Sequence, residues 1–372
     1  MKRLNKICFI LPDLGSGGAQ RVVCNLANKF ADNGCKVVLF AFHNGPANCF
    51  YSVNESVELV TLPDDIVRDR NVDISHNTQI MQNMLKRINP DLAIAFLMPV
   101  TMYCYFATRE LPISLIVSER NDPRTSVRYP EWTALRDQAF LGADACVFQT
   151  EEALMYYGEQ IRGKSKVINN PIVLDMFAGL NMPRAKEREK RIINIGRYDP
   201  QKNHPMLMKA FSIFSETHPG YKLEIYGRDF HNYLEVMKRV RSELHLDDDV
   251  EFCGTDNNLF PRIYNAKMFV LASDYEGMPN ALLESVVMGL PSISTDCPIY
   301  GSRRIIQNGE NGILTEVNNP YELAKQMSYI ADNDDFADKL SQNGREIAHK
   351  YNIENIFGEW MELIFNQTGL CI

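Results

Sequence analysis

Two glutamates, Glu276 and Glu284, are separated by seven residues in the second half of the chain, and the turn residues Gly-Met-Pro-Asn lie between them. An apolar run that ends at Ala272 precedes them and indicates a buried strand, and an apolar-periodic segment from Ala281 to Gly289 predicts a helix. Glu276 should then lie at the carboxyl end of a strand, with Glu284 about one turn into the helix. Ligands bind at this edge of open α/β sheets. Two carboxylates and free turn amides placed there suit a polar ligand that carries hydroxyls and phosphate.

Each glutamate also has an interpretation that needs no ligand. A carboxylate near a helix start stabilises the helix dipole, which suits the position of Glu284 better than that of Glu276. Yet Glu284 lies among Leu282, Leu283 and Val286, where a buried carboxylate is costly without a partner. Glu284 could instead accept hydrogen bonds from ribose hydroxyls, and Glu276 could bind a sugar or stabilise developing positive charge.

A second candidate cluster is basic. The apolar run Ile192–Ile195 is followed by Gly196 and by a loop that holds Arg197 and Lys202. A guanidinium can fork two phosphate oxygens and an ammonium is a mobile point charge, so this pair suits a diphosphate. Charged loop residues are more often simply solvated, and the pair alone is a hypothesis.

Two further polar segments follow predicted strands in the first half. Ile7–Leu11 leads into a loop with Gly15, Gly17 and Gly18, whose small residues and helix amides would let a phosphate or sugar approach the backbone. The spacing is not that of the dinucleotide fingerprint, and a tight turn explains it equally well. After Ser114–Val117 come Glu119, Arg120 and Asn121, for which a binding site and ordinary turn chemistry are both open.

Positioning these loops requires an α/β fold. Short apolar runs alternate with helical patterns along 372 residues, which indicates βαβ units, mostly parallel sheets and two domains. The predicted strands are 7–11, 37–42, 92–96, 114–117 and 145–148, then 192–195, 223–226, 250–253, 269–272 and 292–294. The polar residues 181–191 predict a linker, and 321–365 predict helices.

Composition excludes several classes of protein. Residues 1–170 are neutral and residues 171–372 carry the whole net charge of −8, so a nucleic-acid partner is not expected. No apolar stretch reaches the ~20 residues that span a bilayer, and the apolar start reads as a strand rather than a signal peptide. The nine cysteines contain no Cys-x-x-Cys pair and the histidines are scattered. Reduced core thiols and the absence of a metal site are therefore expected.

Several motifs together resemble one family. They are Gly17-Gly18-Ala19-Gln20-Arg21-Val22-Val23, Asn169-Asn170-Pro171, Gly196-Arg197 with Gln201-Lys202, Glu276-Gly277-Met278-Pro279-Asn280 through Glu284, and Asn308-Gly309-Glu310-Asn311-Gly312-Ile313-Leu314. Their order and spacing are similar to those of the family 4 retaining glycosyltransferases, over essentially the full length. The resemblance implies the GT-B fold, with two Rossmann-like domains whose parallel sheets face each other across a cleft. It gives an acceptor domain at 1–170, a nucleotide-sugar domain at 171–352, and a last helix within 353–372 that crosses back to the first domain.

The resemblance also assigns roles to residues. Arg197 and Lys202 would hold the donor diphosphate, Glu284 the ribose, and Glu276 the sugar, with Arg197, Lys202 and Glu276 as the catalytic set. The remaining donor contacts would come from Gly17 and Gly18 in the first domain and from Gly277, Met278, Pro279 and Asn280. The family retains anomeric configuration by front-face attack and needs no divalent metal or other cofactor.

The chain departs from the family pattern at two places. Many relatives carry a histidine where this chain has Glu119, Arg120 and Asn121, which become the candidate acceptor-binding residues. Relatives often read Gly-Pro-x-Glu where this chain has Gly301-Ser302-Arg303-Arg304. The two arginines could contact donor phosphates or simply begin a helix.

The expected function is transfer of a hexose or N-acetylhexosamine from a nucleotide sugar, with UDP as the favoured nucleotide. The acceptor would be a glycan or a polyprenyl-diphosphate-linked sugar in bacterial surface polysaccharide or lipopolysaccharide synthesis. We expect a cytoplasmic protein that can associate with the inner face of the membrane as a peripheral protein. Two alternatives stay open: a GT-B-fold nucleotide-sugar epimerase, although His43 and His204 form no suitable array, and a non-catalytic nucleotide-sugar-binding partner.

Overall fold

The computed structural model describes residues 2–43, 49–62, 73–127 and 129–372. Internal contacts divide the chain into two compact units. The first unit comprises Met1–Pro171 with Ile353–Ile372, and the second comprises Ile172–Asn352. The boundaries predicted from the sequence lie after residues 170 and 352.

The first unit is built on a parallel sheet of short apolar strands, most of them buried on both faces. Its elements are β1 Lys2–Arg3, β2 Lys6–Leu11, α1 Gly18–Asp32, β3 Lys36–Ala41, β4 Glu58–Thr61, α2 Ile74–Ile88, β5 Leu92–Phe96, α3 Val100–Thr108, β6 Ser114–Ser118, α4 Trp132–Gly142, β7 Ala145–Phe148, α5 Glu151–Met155, α6 Glu159–Arg162 and β8 Ser165–Val167. Within the described residues the strand order is β4-β3-β2-β5-β6-β7-β8. The order reverses between β2 and β5, the point at which open α/β sheets bind ligands.

The second unit repeats this plan. Its elements are β9 Glu189–Ile195, α7 His204–Ser215, β10 Lys222–Tyr226, α8 Tyr233–Glu243, β11 Val250–Gly254, α9 Phe260–Ile263, β12 Ala266–Leu271, α10 Asn280–Met288, β13 Ser292–Thr295, β14 Ile313–Thr315, α11 Pro320–Asp332 and α12 Asp334–Glu346. The parallel order in the described chain is β11-β10-β9-β12-β13-β14, so the reversal falls between β9 and β12. Separate apolar clusters cover the sheet, one with Phe211 and Leu323 and another with Phe269 and Leu282.

The chain ends within the first unit. Helix α13, Ile353–Thr368, buries Ile356 and Trp360 in the same core as Phe9 and Phe96. After it, β15, Leu370–Cys371, pairs in parallel with β1. The terminal helix is therefore part of the first unit's core rather than a surface appendage.

The predicted alternation of strands and helices is confirmed, but the predicted linker at 181–191 is partly wrong. Strand β9 begins at Glu189, and a short 3-10 turn occupies Ala185–Glu187. The charged residues here are integrated into the fold: Arg191 donates to Glu224 Oε2 at 3.0 Å, and buried Arg188 donates to the carbonyls of Tyr264 and Ala266. Charge at a strand start therefore did not mean an unpacked segment, because each guanidinium has acceptors.

One further property bears on localisation. Among the helices in the described ranges, none combines the length and apolar character needed to span a bilayer.

Candidate active site

Two loops leave the carboxyl ends of the neighbouring strands β9 and β12, at the reversal of the second sheet. The loop after β9 is shaped by two capped turns. Asp199 Oδ1 accepts from Gln201 N at 2.7 Å at the start of a 3-10 turn, with Pro200 in its first position. Asn203, at φ 45°, then accepts from Met206 N at 3.2 Å and starts α7. Local side-chain capping therefore fixes the path that presents Arg197 and Lys202.

Hydrogen bonds from both backbone and side chains join this loop to the loop after β12. Gln201 Nε2 donates to Tyr275 O at 2.8 Å, and Asp274 N donates to Gln201 O at 2.9 Å. Asn203 Nδ2 donates to Asp274 Oδ1 at 2.6 Å. Because both loops are tied through backbone as well as side chains, the functional groups on them are held in a fixed relation.

Lys202 and Glu276 form an ion pair at the centre of this joined structure. Lys202 Nζ donates to Glu276 Oε1, and Ser273 Oγ donates to the same oxygen at 2.7 Å. The lysine side chain is 15% exposed and the glutamate side chain 8% exposed, so the pair is largely shielded from water. An ammonium has three N–H donors, and the bond to Glu276 leaves capacity for a second anionic group.

Helix α10 begins at Asn280, directly after the Glu276 loop. Gly277, Met278 and Pro279 are buried, and no side chain caps the helix at its N-cap residue Pro279. Glu284 lies further along the same helix and is buried. The first-turn amides and the helix dipole therefore add positive potential at the edge that carries Lys202.

Arg197 occupies the same edge but has a different partner. Its guanidinium lies 3.3 Å from Asp199 Oδ2 and 5.0 Å from the ring centre of Phe230. Its side chain is 38% exposed, much more than that of Lys202. Asp199 and Phe230 thus hold a guanidinium that still reaches solvent, an arrangement open to a phosphate.

The segment after β13 packs directly against the Glu276 loop. A Cβ atom on Gly301 would lie 1.4 Å from Gly277 O, so only glycine permits this approach. The preceding residues Ile299 and Tyr300 have φ values of 59° and 55°, a strained conformation for a β-branched or bulky side chain. Arg303 pairs with Asp296, at 2.8 Å from Nε to Oδ1, in a 3-10 turn.

His204 begins α7 beneath the Lys202 loop and is completely buried. Within the described chain neither ring nitrogen has a hydrogen-bond partner, and the ring meets Tyr198 edge-on. Burial, together with the charge of Lys202, lowers the pKa of His204 to about 3. The imidazole is therefore neutral, and it is a packing residue rather than an acid or base.

In the first unit, the glycine loop and residues 119–121 follow β2 and β6, on either side of β5. Asp13 Oδ1 accepts from Gly15 N at 2.8 Å and from Gln20 Nε2 at 3.1 Å. Gly17 is the N-cap of α1 and has no capping side-chain hydrogen bond, while Gly18 is exposed. Asp13 thus shapes the loop, and the start of α1 presents backbone at its tip.

Glu119 organises its own loop. Its Oε1 accepts from the backbone amides of Arg120 at 3.0 Å and Asn121 at 3.3 Å. Burial raises the pKa of the carboxyl. The buried Arg136, on helix α4, donates to two residues of this loop, to Ser126 Oγ at 3.2 Å and to the carbonyl oxygen of Pro123. The two bonds from backbone amides show that the Glu119 carboxylate stabilises a turn. Asn121, in contrast, is half-exposed.

Arg120 lies where the carboxyl ends of four strands, β5 to β8, come together. Its NH1 donates to Asn170 Oδ1 at 3.1 Å, which also accepts from Gln149 Nε2 at 2.8 Å. The guanidinium stacks on Phe96 at 4.7 Å. Among the described residues, Nε and NH2 have no hydrogen-bond partner, and burial lowers the pKa of Arg120 to about 9. Unsatisfied buried donors of a cation are costly and favour an anionic or strongly accepting ligand.

The sequence did not single out several residues that complete these edges. They are Asp199, Ser273, Asn203, Phe230, Phe96 and Arg136. Asp-Pro and Asn-His-Pro at 199–205 are capping signals that could have located the first turn. Nothing in the sequence pairs Ser273 with Glu276, since that contact depends on the tertiary structure. Across the described ranges, no group of three or more His, Cys, Asp or Glu side chains is placed to hold a metal ion.

Comparison with known proteins agrees with this architecture. The family model described as Glycosyltransferase Family 4 matches residues 16–176, and that of Glycosyl transferases group 1 matches residues 181–347. A Campylobacter jejuni alpha-1,4-N-acetyl-D-galactosaminyltransferase, named for the acceptor GalNAc-alpha-(1->4)-GalNAc-alpha-(1->3)-diNAcBac-PP-undecaprenol, is 27% identical over 366 residues, covering 96% of this chain and 98% of the relative. Anabaena HepE, solved with UDP and glucose, superposes with a TM-score of 0.80 at 15% identity, covering 97% and 99% of the two chains.

Two doubly wound α/β units with polar loops at their carboxyl edges form the GT-B fold, as in HepE and in an S. aureus TarM mutant solved with UDP (TM-score 0.80, 14% identity, 97% of this chain and 99% of that one). The chain belongs to the glycosyltransferases that these two models describe, Glycosyltransferase Family 4 over residues 16–176 and Glycosyl transferases group 1 over residues 181–347. The resemblance and the fold inferred from the sequence are thereby confirmed.

Proposed function

We propose that this glycosyltransferase moves a hexosyl or N-acetylhexosaminyl group from a UDP sugar to a lipid-linked or polymer-linked acceptor of the bacterial surface, with retention of anomeric configuration. The observation that carries the proposal is the Lys202–Glu276 ion pair, held between joined loops at the start of α10. Positive groups there suit a diphosphate, and a carboxylate beside them suits sugar hydroxyls.

Each residue of the second edge has a distinct role in this proposal. Arg197 and Lys202 bind the diphosphate and stabilise the charge that develops on it as the sugar leaves. Glu276 positions the ammonium and accepts from the sugar, Glu284 accepts from the ribose, and the residues from Gly277 to Asn280 line the sugar. Because fixed cations and helix amides supply the stabilisation, the reaction needs no divalent metal.

In the proposed retaining step, the acceptor oxygen attacks the anomeric carbon on the face from which the diphosphate departs. The bond from the anomeric carbon to the phosphate oxygen breaks, and the bond to the acceptor oxygen forms. The proton of the acceptor hydroxyl passes to the departing phosphate oxygen. The alpha linkages in the relative's name support retention, since common UDP-hexoses are themselves alpha-linked.

The acceptor proposal rests on the first unit and on the relatives. Arg120 has unsatisfied donors at the carboxyl edge of its sheet, and Asn121 is half-exposed beside it. The acceptor of the C. jejuni relative carries a diphosphate, whose oxygens would satisfy a guanidinium. We propose that the protein works at the inner face of the cytoplasmic membrane, where such acceptors are available, and that Gly17 and Gly18 admit a ligand phosphate to the backbone.

The test is a panel of nucleotide sugars incubated with the purified full-length protein, with and without a diphosphate-linked acceptor, and with EDTA in parallel. We expect one UDP sugar to raise the melting temperature and to release UDP in the presence of acceptor. EDTA should leave the rate unchanged, and the product should show the anomeric coupling constant of the donor. Inversion of the anomer or loss of turnover in EDTA would refute the retaining, metal-independent mechanism. Interconversion of the free nucleotide sugar would instead identify an epimerase.

A further inference from the structure

Two thiols of the first unit lie in direct contact outside the proposed active site. Cys24 is buried on α1, and Cys49 lies half-exposed between β3 and β4. Their sulfur atoms are 3.3 Å apart. A disulfide needs an S–S separation of about 2.05 Å, so a small approach of the two side chains would form the bond. Other thiols have different partners: Cys146 donates to Phe140 O and Cys297 to Ser273 O.

The backbone on both sides of this contact is already positioned. The segment 49–54 is held against α1 by Arg21, whose guanidinium lies 4.6 Å from the Tyr51 ring centre. Asn28 on the next turns of α1 donates to Ser52 O at 3.2 Å and accepts from Asn54 N at 2.8 Å. These contacts keep the two sulfurs together, which raises their effective concentration for reaction with each other.

We propose that Cys24 and Cys49 are a redox-active dithiol that closes to an intramolecular disulfide by exchange with a small-molecule disulfide of the glutathione class. The Cys49 thiolate attacks one sulfur of the small disulfide, and the first small thiol leaves as thiolate. The Cys24 thiol then loses its proton and attacks the Cys49 sulfur, and the second small thiol leaves. The protein loses two electrons and two protons, and one small disulfide becomes two small thiols.

The environments of the two sulfurs set the order of these steps. The hydrogen bond from Cys24 lowers the pKa of Cys49 to about 7, so a large share of this half-exposed thiol is nucleophilic at neutral pH. The same hydrogen bond and burial raise the pKa of Cys24. Cys49 is therefore the attacking sulfur, and Cys24, which a reagent in solution cannot reach, is the resolving one.

Formation of the disulfide would affect the glycine loop. Phe50 N, next to Cys49, donates to Leu14 O at 3.0 Å, and Leu14 precedes the Gly15–Gly18 stretch. A covalent link from α1 to Cys49 would therefore restrain the loop from a second point. This site lies outside the sugar-transfer chemistry and does not depend on the proposed function.

The experiment titrates the folded full-length protein with oxidised glutathione, blocks free thiols by alkylation, and maps crosslinks by mass spectrometry of non-reduced digests. We expect a Cys24–Cys49 crosslinked peptide, with the mass loss of two hydrogens, that dithiothreitol reverses. In Cys24→Ser, Cys49 should accumulate a glutathionyl group that is not resolved. In Cys49→Ser, Cys24 should remain unmodified because it is buried. Cys253→Ser, which removes a half-exposed thiol of the second unit, is the matched control and should leave the crosslink unchanged.

Three outcomes would overturn the proposal. One is the absence of the crosslink in wild-type protein at a glutathione disulfide concentration that modifies the half-exposed Cys371. Another is a crosslink that appears only after unfolding in urea. The third is a stable glutathionyl group on Cys49 of the wild type, since Cys24 would then fail to resolve it. The wild-type map decides these outcomes even if a variant does not fold.

Discussion

At the edge of the second unit Lys202 donates to a carboxylate, Glu276, whereas at the edge of the first unit Arg120 donates to an amide oxygen, that of Asn170. Both cations lie at carboxyl ends of parallel strands, and both are shielded from water. Only the lysine has an acidic side chain as its hydrogen-bond acceptor within the described residues. Burial lowers the pKa of Arg120 to about 9, and the neighbouring Glu119 carboxylate offsets only part of that cost.

The two edges therefore differ in how far their charges are balanced before a ligand binds. The second edge is neutralised before a donor arrives, so its geometry is stable without ligand and little reorganisation is needed on binding. At the first edge two guanidinium nitrogens, Nε and NH2 of Arg120, have no hydrogen-bond partner in the described structure. An acidic or phosphate-bearing ligand would complete it, so this edge sacrifices some stability for binding.

The largest expected effect comes from breaking the second edge. Lys202→Met or Glu276→Gln should lower kcat/KM for transfer by about 10²–10³-fold. The first variant removes the ammonium that stabilises the developing charge on the diphosphate, and the second removes the carboxylate that positions this ammonium. The double variant should be little worse than the poorer single variant, since the two groups act as one unit. Steady-state kinetics on all three variants measure this.

Lys339→Met is the matched control, because Lys339 has an exposed ion pair with Glu310 at 3.0 Å. It should leave kcat/KM within about twofold and stability within about 0.5 kcal/mol. Multiplicative losses in the Lys202 and Glu276 double variant would show that the residues act independently, and full activity of either single variant would remove them from the site.

A smaller but still large effect should follow from Gly301→Ala. The new Cβ would fall on Gly277 O, so the Glu276 loop or the Gly301 segment must shift. A displacement of about 1 Å can cost about 10²-fold in rate, and overpacking costs about 1–3 kcal/mol in stability. Activity and urea unfolding should both be measured.

Gly358→Ala provides the contrast on the exposed side of α13, where a Cβ meets nothing within 4 Å. It should raise the free energy of unfolding by about 0.5–1 kcal/mol through helix propensity and leave transfer unchanged. Wild-type kinetics in Gly301→Ala would mean that the Glu276 loop does not need this close approach.

Much of the fold that positions these two edges could be predicted from the sequence. Central strands such as β5 and β7 are apolar runs buried on both faces, so their hydrophobicity is sufficient to locate them. Of the strands that were not predicted, β4, β8 and β14 are short edge strands of the two large sheets, and β1 and β15 pair with each other. Strand β4 reads Glu-Leu-Val-Thr with exposed positions, and an edge strand needs no apolar run because one side is unpartnered.

The candidate residues were likewise placed at strand ends from the sequence, since a polar loop after an apolar run is a local signal. Their partners were not predictable. The Lys202–Glu276 contact joins residues 74 positions apart, and its geometry depends on the register of β9 and β12. From the sequence alone, Glu119, Arg120 and Asn121 were equally good candidates for acceptor binding. Only side-chain geometry separates a carboxylate that fixes a turn from a cation with unsatisfied donors.

The different roles of Arg120 and Glu119 predict an effect of about tenfold on the kinetics with acceptor. Arg120→Met should lower kcat/KM for acceptor by about tenfold or more, yet change the free energy of unfolding by less than about 1 kcal/mol, since it removes an incompletely satisfied buried charge. Glu119→Ala should instead lower stability more than activity. It leaves the amides of Arg120 and Asn121 without their acceptor, which costs about 1–3 kcal/mol in stability. Equal loss of stability in both variants would contradict the division of roles.

The smallest effect at neutral pH concerns His204, which lies beneath the neutralised edge. Its pKa in the folded protein, about 3, is below the ordinary value of 6.5, so the unfolded chain binds a proton that the native state refuses. Stability therefore rises with pH between about 3 and 6.5, and on acidification below pH 6.5 this residue alone removes about 1.4 kcal/mol per pH unit. His204→Leu should lose that share of the pH dependence, whereas His245→Asn, at an exposed position, should keep it. Urea unfolding of the three proteins at pH 7, 6 and 5 measures the difference. Parallel curves for wild type and His204→Leu would mean that the imidazole accepts a proton in place, and the second edge would then carry an additional cation next to Lys202 in acid.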